Sequence, residues 1–221
     1  KVLEKGMQGM SPDAFEAAAN ETGAVMLDVR HQDQFVKGHI PNSIFIGIDG
    51  SFAPWVGALI KDVKQPILLI ADKDRLEETI TRLSRVGFDN VLGYIEGGFE
   101  AWKDAGKEVS TIEKVTAEEF ANKLKDGKLK VYDVRKQSEY QSEHVVDAEN
   151  TPLDYINDYL SSFETEGPAY MHCAGGYRSV IANSILKARG IHNMIDVEGG
   201  FGAIKETDAK VTDYVCPTTL K

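Results

Sequence analysis

The chain contains an internal repeat of about one hundred residues, and this feature restricts its architecture more than any other. The run Leu-Asp-Val-Arg at Leu27–Arg30 reappears as Tyr-Asp-Val-Arg at Tyr132–Arg135. The run Glu-Gly-Gly-Phe at Glu96–Phe99 reappears at Glu198–Phe201. A repeat of this length is the size of a domain, whereas solenoid repeats span roughly 20–45 residues. We therefore predict two homologous domains, 1–110 and 111–221.

Both halves have the same predicted order of helices and strands. Ser11 and Thr116 are typical helix N-caps, and Thr116 begins a complete capping box. Later in each half, an apolar strand precedes a helix that ends at a glycine, the usual C-cap. Strands that alternate with helices indicate an α/β fold with a central, mostly parallel sheet flanked by helices. The predicted elements are strands Val25–Val29, Lys130–Val134, Pro66–Ile70 and Ala169–His172, and helices Glu77–Val86 and Ser179–Arg189.

Composition and charge exclude several classes of protein. Hydrophobic residues make up 42% of the chain, which is enough to bury a core. The net charge of −10 repels phosphate backbones, so we expect no nucleic-acid partner. No apolar run approaches the roughly 18 residues that span a bilayer, so we expect no membrane association. Two cysteines, Cys173 and Cys216, and no secretory signal at the start favour a reducing, cytoplasmic location.

The loop after the predicted strand Ala169–His172 carries the residues that point most directly to chemistry. In α/β sheets, ligands bind beyond the carboxyl ends of the strands. Glycines allow a tight curl that aims several N–H groups at one point, and the next helix adds its positive dipole end. A cysteine in such a loop favours the nucleophilic thiolate, so we predict Cys173 as nucleophile and Arg178 as the cation that holds an anion. The binding loop comprises Ala174, Gly175, Gly176, Tyr177 and Ser179.

Four residues outside this loop have alternative interpretations. His172 is either a catalytic base or, as we prefer, a strand residue that packs beneath the loop. Asp133 and Arg135 either bind substrate or, as we prefer, brace the loop as a pair at a strand end. Cys216 is either a resolving cysteine that reacts with Cys173 or, as we prefer, a spectator near the chain end, because no motif around it activates a thiol.

The loop and its surroundings resemble the rhodanese family of single-domain and tandem sulfurtransferases. Four residues separate Cys173 from Arg178, whereas phosphatases and arsenate reductases that resemble this family have a wider ring of five. That difference favours sulfur transfer over phosphate chemistry. The resemblance covers nearly the whole chain and includes 133–135, Glu139, Tyr140, His144 and Glu198–Phe201 in the second half, and Gly38–Pro41 and Gly97–Trp102 in the first.

The resemblance implies a sulfurtransferase in which Cys173 becomes a persulfide. Thiosulfate, glutathione persulfide and polysulfide are the expected small-molecule partners, and no cofactor is expected. The histidines are scattered, so we also expect no metal.

The first half departs from the family at the decisive position. Ala71 aligns with Cys173, residues 1–110 contain no cysteine, and Asp72 and Asp74 place negative charge where an anion would bind. We therefore expect the first domain to be inactive. A cysteine-less domain followed by an active one also resembles the carboxy-terminal part of bacterial metallo-β-lactamase–rhodanese fusions of the persulfide dioxygenase type. The missing initiator Met fits such a fragment, and the alternative function is then a sulfur-handling or interaction module of a larger enzyme.

Overall fold

A computed structural model describes residues 1–219. The chain divides into two compact units, of which the first comprises Lys1–Thr111 and the second begins at Ile112. Each unit is an α/β domain built on a five-stranded parallel sheet. Within the described residues, no helix is both long enough and apolar enough to cross a bilayer.

The sheet of the first domain has the strand order β1-β5-β4-β2-β3, and every pair of neighbouring strands is parallel. The strands are β1 (Gly9–Met10), β2 (Val25–Asp28), β3 (Ile44–Phe45), β4 (Ile67–Ile70) and β5 (Val91–Ile95). The helices are α1 (Val2–Gly6), α2 (Pro12–Thr22), α3 (Gln32–Lys37), α4 (Phe52–Leu59), α5 (Leu76–Arg85) and α6 (Gly98–Asp104), with a 3₁₀ turn at Lys73–Arg75.

The second domain repeats this topology with the order β6-β10-β9-β7-β8, again entirely parallel. Its strands are β6 (Lys114–Val115), β7 (Lys130–Asp133), β8 (Glu149–Asn150), β9 (Ala169–His172) and β10 (Met194–Val197). Its helices are α7 (Ala117–Asp126), α8 (Gln137–Ser142), α9 (Arg178–Ala188) and α10 (Gly200–Lys205), and 3₁₀ segments cover Leu153–Ser162 and Pro217–Thr219.

The structure confirms the predicted fold class, and local sequence signals explain where the elements begin and end. β9 has the predicted bounds, and α9 begins one residue earlier than predicted. The capping box at Thr116 forms as expected, because its hydroxyl accepts from the Glu119 N–H at 3.1 Å and its own N–H donates to the Glu119 carboxylate at 2.9 Å.

The core of the second domain surrounds the central strand β9. Every residue of β9 is buried, and Tyr170 packs with its ring centroid 5.6 Å from that of Phe120 on α7. Full burial of such a side chain stabilises a domain by roughly 1.5–3 kcal/mol relative to an exposed position. The carboxyl end of β9, where Cys173 follows, therefore lies at the edge of the buried core.

Candidate active site

Cys173 lies directly after β9, at the floor of a curled loop. Only 1% of its surface is exposed. Its Sγ accepts a hydrogen bond from the Gly176 N–H at 3.1 Å, and its thiol donates to Ser179 Oγ at 3.5 Å. Gly176 has a φ of +107°, a backbone conformation that residues with a Cβ rarely adopt. The loop thus turns its backbone back toward the sulfur, just before the eleven-residue helix α9 begins.

The second copy of the repeated Glu-Gly-Gly-Phe motif, Glu198–Phe201, packs against the backbone of this loop. Gly200 has a φ of +60°, and a Cβ there would lie 2.6 Å from the carbonyl oxygen of Cys173. That close approach allows the Phe201 N–H to donate to the Cys173 carbonyl at 2.7 Å and the Gly202 N–H to donate to the Ala174 carbonyl at 3.0 Å. The motif therefore fixes the backbone on either side of the Cys173–Ala174 peptide bond.

Arg178 is held by Glu139 on α8. Its Nη1 and Nη2 donate to the two carboxylate oxygens of Glu139 at 2.7 and 3.0 Å, the fork geometry of a bidentate pair. This pair raises the pKa of Arg178 and lowers the pKa of Glu139. The nearby Cys173 sulfur also favours the charged arginine. The guanidinium thus stays positively charged next to the loop, and its ion pair with Glu139 links α9 to α8.

Asp133 and Arg135 pair with each other at the end of β7. Asp133 accepts from the Arg135 Nε and Nη2 at 3.0 and 2.7 Å, and both side chains are nearly inaccessible to solvent. Arg135 Nη2 also donates to the Glu143 carbonyl at 2.8 Å, and the guanidinium lies 4.0 Å from the ring centroid of Phe201. The cysteine-less domain has the same arrangement in Asp28 and Arg30. A pair present in both domains favours the bracing role over substrate binding.

His172 lies beneath the loop and is fully buried. Its Nδ1 is 3.0 Å from the Cys173 carbonyl oxygen, and its Nε2 is 3.8 Å from the Asp133 carboxylate without a hydrogen-bond partner in the described part of the chain. Burial lowers the pKa of His172 below its usual value, and the nearby Asp133 offsets this only in part. A buried imidazole whose two nitrogens lie near the Cys173 carbonyl and the Asp133 carboxylate fits a packing role better than that of a base.

The structure adds one residue that the sequence did not indicate, Asp196 on β10. Its side chain is 1% exposed, and the Ser179 hydroxyl hydrogen bonds to its carboxyl group. Burial raises the pKa of Asp196 to about 7, although the Ser179 hydrogen bond opposes this shift. The available signal was an acidic residue between Ile195 and Val197 in an otherwise apolar strand.

The corresponding loop of the first domain is built differently. Ala71 occupies the position of the cysteine, and a 3₁₀ turn follows at Lys73–Arg75. Arg75 donates to the Asp49 carboxylate at 2.9 Å and to the Glu78 carboxylate at 2.8 Å, and these hydrogen bonds raise the pKa of Arg75. Its guanidinium is therefore paired with carboxylates. In neither domain does the region described, residues 1–219, bring together three or more His, Cys, Asp or Glu side chains that could hold a metal ion.

Comparisons with known proteins place both domains in one family. Residues 11–105 and 116–207 each match the model of the Rhodanese-like domain. The protein YqhL of Bacillus subtilis is 30% identical over 87 residues, which are 39% of this chain and 68% of YqhL. The thiosulfate sulfurtransferase GlpE of Pseudomonas savastanoi pv. phaseolicola is also 30% identical over 87 residues, 39% of this chain and 78% of GlpE.

Among solved structures, the crystal structure of a rhodanese-like domain protein from Staphylococcus aureus is 33% identical. The match covers 47% of this chain and 100% of that chain, with a TM-score of 0.42. The two segments that match the family model together span well over half of the sequence. The chain therefore belongs to the Rhodanese-like domain family and contains two copies of that domain.

Proposed function

We propose that the second domain is a sulfurtransferase that carries sulfane sulfur on Cys173. The observation that supports this most strongly is the position of the Cys173 thiol at the floor of its loop, where Sγ accepts a hydrogen bond from the Gly176 N–H at 3.1 Å. Backbone donors of this kind stabilise an anionic sulfur, whether a thiolate or the terminal sulfur of a persulfide. GlpE, a relative of this chain, is a thiosulfate sulfurtransferase.

The proposed reaction has two steps. The Cys173 thiolate attacks the outer sulfur of thiosulfate, the S–S bond of thiosulfate breaks, and sulfite leaves with the bonding electron pair. A thiol persulfide donor reacts in the same way and releases a thiolate. An acceptor nucleophile such as cyanide or a thiolate then attacks the terminal sulfur, and the Cys173 thiolate is restored. Covalent catalysis of this kind needs no cofactor.

The loop residues have distinct parts in this proposal. Ala174 and Gly175 are exposed and form the rim at which donor and acceptor arrive. Gly176 supplies a backbone N–H to the sulfur. Tyr177 is half-buried and shapes the entrance. Arg178 holds the rim in place and contributes positive charge toward an anionic donor.

The first domain acts as a supporting domain in this proposal. It contains no cysteine, and the arginine next to its loop, Arg75, is paired with two carboxylates, those of Asp49 and Glu78. The order of the two domains, a cysteine-less one followed by one that contains Cys173, also supports a second proposal. In this second proposal the chain is a sulfur-handling module of a larger persulfide-processing protein with a metallo-β-lactamase domain. In that case the acceptor is a group on the larger protein. The parent reading frame tests this second proposal directly.

Intact-mass spectrometry after incubation with separate donors tests the proposed function. Thiosulfate, glutathione persulfide and polysulfide are offered one at a time, and the gain of one sulfur atom is measured. We expect loading of the wild-type chain and of Cys216→Ser, and no loading of Cys173→Ser, because a serine hydroxyl is a poor nucleophile without a dedicated base. Loading of Cys173→Ser, or efficient hydrolysis of a phosphate monoester by the wild-type chain, would overturn the proposal.

A further inference from the structure

A continuous path of polar groups links Cys173 to the buried carboxyl group of Asp196. The Cys173 thiol donates to Ser179 Oγ at 3.5 Å, and the Ser179 hydroxyl hydrogen bonds to the Asp196 carboxyl group. Ser179 is fully buried and Asp196 is 1% exposed. The strands place the two ends of the path close together, because Asp196 on β10 pairs with Met171 on β9, two residues before Cys173.

The hydrogen bonds along this path have a consistent direction. A serine hydroxyl has one proton to donate and can accept hydrogen bonds as well. Ser179 accepts from the thiol and donates to the carboxylate. The Oδ1 atom of Asp196 is buried and has no hydrogen-bond partner within residues 1–219. The ionised carboxylate is therefore incompletely stabilised by hydrogen bonds, which favours the uptake of a proton from Ser179.

We infer that Ser179 and Asp196 form a proton relay that receives the proton of the Cys173 thiol when the nucleophile is generated. The thiol proton moves to Ser179 Oγ while the Ser179 hydroxyl proton moves to the Asp196 carboxylate. The step converts a thiol and a carboxylate into a thiolate and a carboxylic acid, and no charge is gained or lost. Asp196 does not contact the substrate, and it acts on Cys173 only through Ser179. The inference rests on the proposed function only in assigning the thiolate to sulfur transfer.

The first domain lacks all three residues of this path, which supports the inference. In the first domain, Tyr94 occupies the strand position of Asp196, because Tyr94 pairs with Gly9 and Leu69 in the same way as Asp196 pairs with Lys114 and Met171. Glu77 aligns with Ser179 and Ala71 with Cys173. The domain without the cysteine thus also lacks the hydroxyl and the carboxyl group of the path.

Other ionisable groups near the thiol are poorly placed to take its proton. His172 directs Nδ1 toward the Cys173 carbonyl and Nε2 toward Asp133. The charged groups that act on Asp196 itself are Lys114 on β6, which lowers the pKa of Asp196, and Glu198, which raises it. With burial as the largest cause, the pKa of Asp196 reaches about 7, so this carboxyl group can exchange a proton near neutral pH.

The rate of Cys173 alkylation by iodoacetamide as a function of pH tests the relay without any sulfur donor. All variants carry Cys216→Ser, so that only Cys173 reacts. Two coupled groups that share a proton titrate in two steps. We expect the parent to show a first rise near pH 7, a plateau, and a second rise at higher pH. Asp196→Asn is expected to show a single rise, and a single rise in the parent would overturn the inference.

Two further variants separate a relay from a charge effect. Ser179→Ala removes the bridging hydroxyl and is expected to lower the plateau, whereas Ser179→Thr keeps a hydroxyl and is expected to restore it. Glu198→Gln is the matched control: it removes a nearby charge, so the first rise moves to lower pH while both steps remain. An unchanged plateau in Ser179→Ala, or two steps in Asp196→Asn, would refute the relay. Failure of the proposed function appears separately, as absence of sulfur loading.

Discussion

Arg178 and Glu139 form a bidentate ion pair, with N–O distances of 2.7 and 3.0 Å, that joins the first residue of α9 to α8. Both side chains are only partly exposed, at 18% and 34%. The pair therefore has two consequences for the loop. It holds the rim of the loop against α8, and it leaves the positive charge of Arg178 partly compensated by the carboxylate of Glu139.

Variants of Arg178 tested with donors of different charge distinguish its structural contact with α8 from its positive charge. We expect Arg178→Ala to reduce sulfur loading from thiosulfate about tenfold or more, the effect of losing a charged hydrogen bond of roughly 1.5–3 kcal/mol. Loading from a donor with less charge should fall by a smaller factor. Arg178→Lys should recover only part of the loss, because an ammonium group lacks the guanidinium fork. The initial rate of sulfur loading with each donor is the measurement.

Two other variants serve as controls for Arg178. Glu139→Gln keeps the arginine charge and should reduce loading from thiosulfate less than Arg178→Ala does. Arg75→Ala removes an arginine from the corresponding loop of the cysteine-less domain and should leave loading unchanged. Equal losses for both donors in Arg178→Ala would indicate that the arginine acts only as a structural brace.

Gly200 lies too close to the Cys173 carbonyl to accept a side chain. We expect Gly200→Ala to destabilise the second domain by about 2 kcal/mol or more, because a positive φ costs roughly 1–3 kcal/mol for a residue with a Cβ and the added carbon lies 2.6 Å from the carbonyl oxygen. Displacement of the Cys173–Ala174 peptide should also slow sulfur loading. Hydrogen exchange of α9 and the loading rate measure the two effects.

The first domain offers a matched control for this glycine. Gly98 has a φ of +66° and nothing within 4 Å of an added Cβ. Gly98→Ala therefore introduces the backbone strain without the clash, and it should destabilise the first domain less than Gly200→Ala destabilises the second. Gly202→Ala, with an ordinary contact of 3.5 Å to the Ala174 carbonyl oxygen, should leave loading unchanged. Equal effects of all three variants on domain stability and on the loading rate would show that the close approach at Gly200 does not affect function.

The fold was readable from the sequence because its signals are local. The apolar run of β9, the capping box at Thr116 and the glycine after α9 each depend on residues a few positions apart. The partners within the site depend on contacts across the sheet. Glu139 lies 39 residues from Arg178 in the chain, and only the packing of α8 beside the loop brings them together. Asp196 on β10 contacts Ser179 on α9, a pairing that no pattern in the sequence specifies.

Asp196 should make the stability of the second domain depend on pH. Its folded pKa of about 7 lies above the unfolded value of about 3.9, so ionisation in the unfolded state weakens folding as pH rises through that interval. The cost is absent below pH about 4 and complete above pH about 7. We expect Asp196→Asn to be more stable than the wild-type chain at pH 8, by at most ~4 kcal/mol, with the difference shrinking toward pH 4.

Hydrogen exchange of α9 and β10 at several pH values measures this difference. Tryptophan fluorescence is unsuitable, because Trp55 and Trp102 both belong to the first domain. Asp208→Asn is the control, since Asp208 is exposed and its hydrogen bond with Lys125 lowers its pKa. It should not stabilise the domain at pH 8. A constant difference between wild type and Asp196→Asn across the pH range would contradict the raised pKa.

The chain segment that leads to Cys216 is anchored to the end of α8. The Val215 N–H donates to the Ser142 carbonyl at 2.8 Å, and the Ser142 hydroxyl donates back to the Val215 carbonyl at 2.7 Å. Thr212 adds a hydrogen bond from its N–H to the His144 carbonyl at 2.8 Å. The tail therefore has a defined position despite lying near the chain end, and Cys216 needs a test of its own.

We predict that Cys216→Ser leaves sulfur transfer unchanged and that no disulfide forms between Cys216 and Cys173 under oxidising conditions. Cys173 is buried and its sulfur is engaged by Gly176 and Ser179, so the loop needs no second thiol. Cys216 is exposed, and hydrogen bonds from Thr218 lower its pKa, so it should be alkylated readily without affecting transfer. Transfer rates and non-reducing mass spectrometry are the measurements. A large loss of activity, or a Cys173–Cys216 disulfide in high yield, would instead show that Cys216 reacts with Cys173 and that the tail is part of the mechanism.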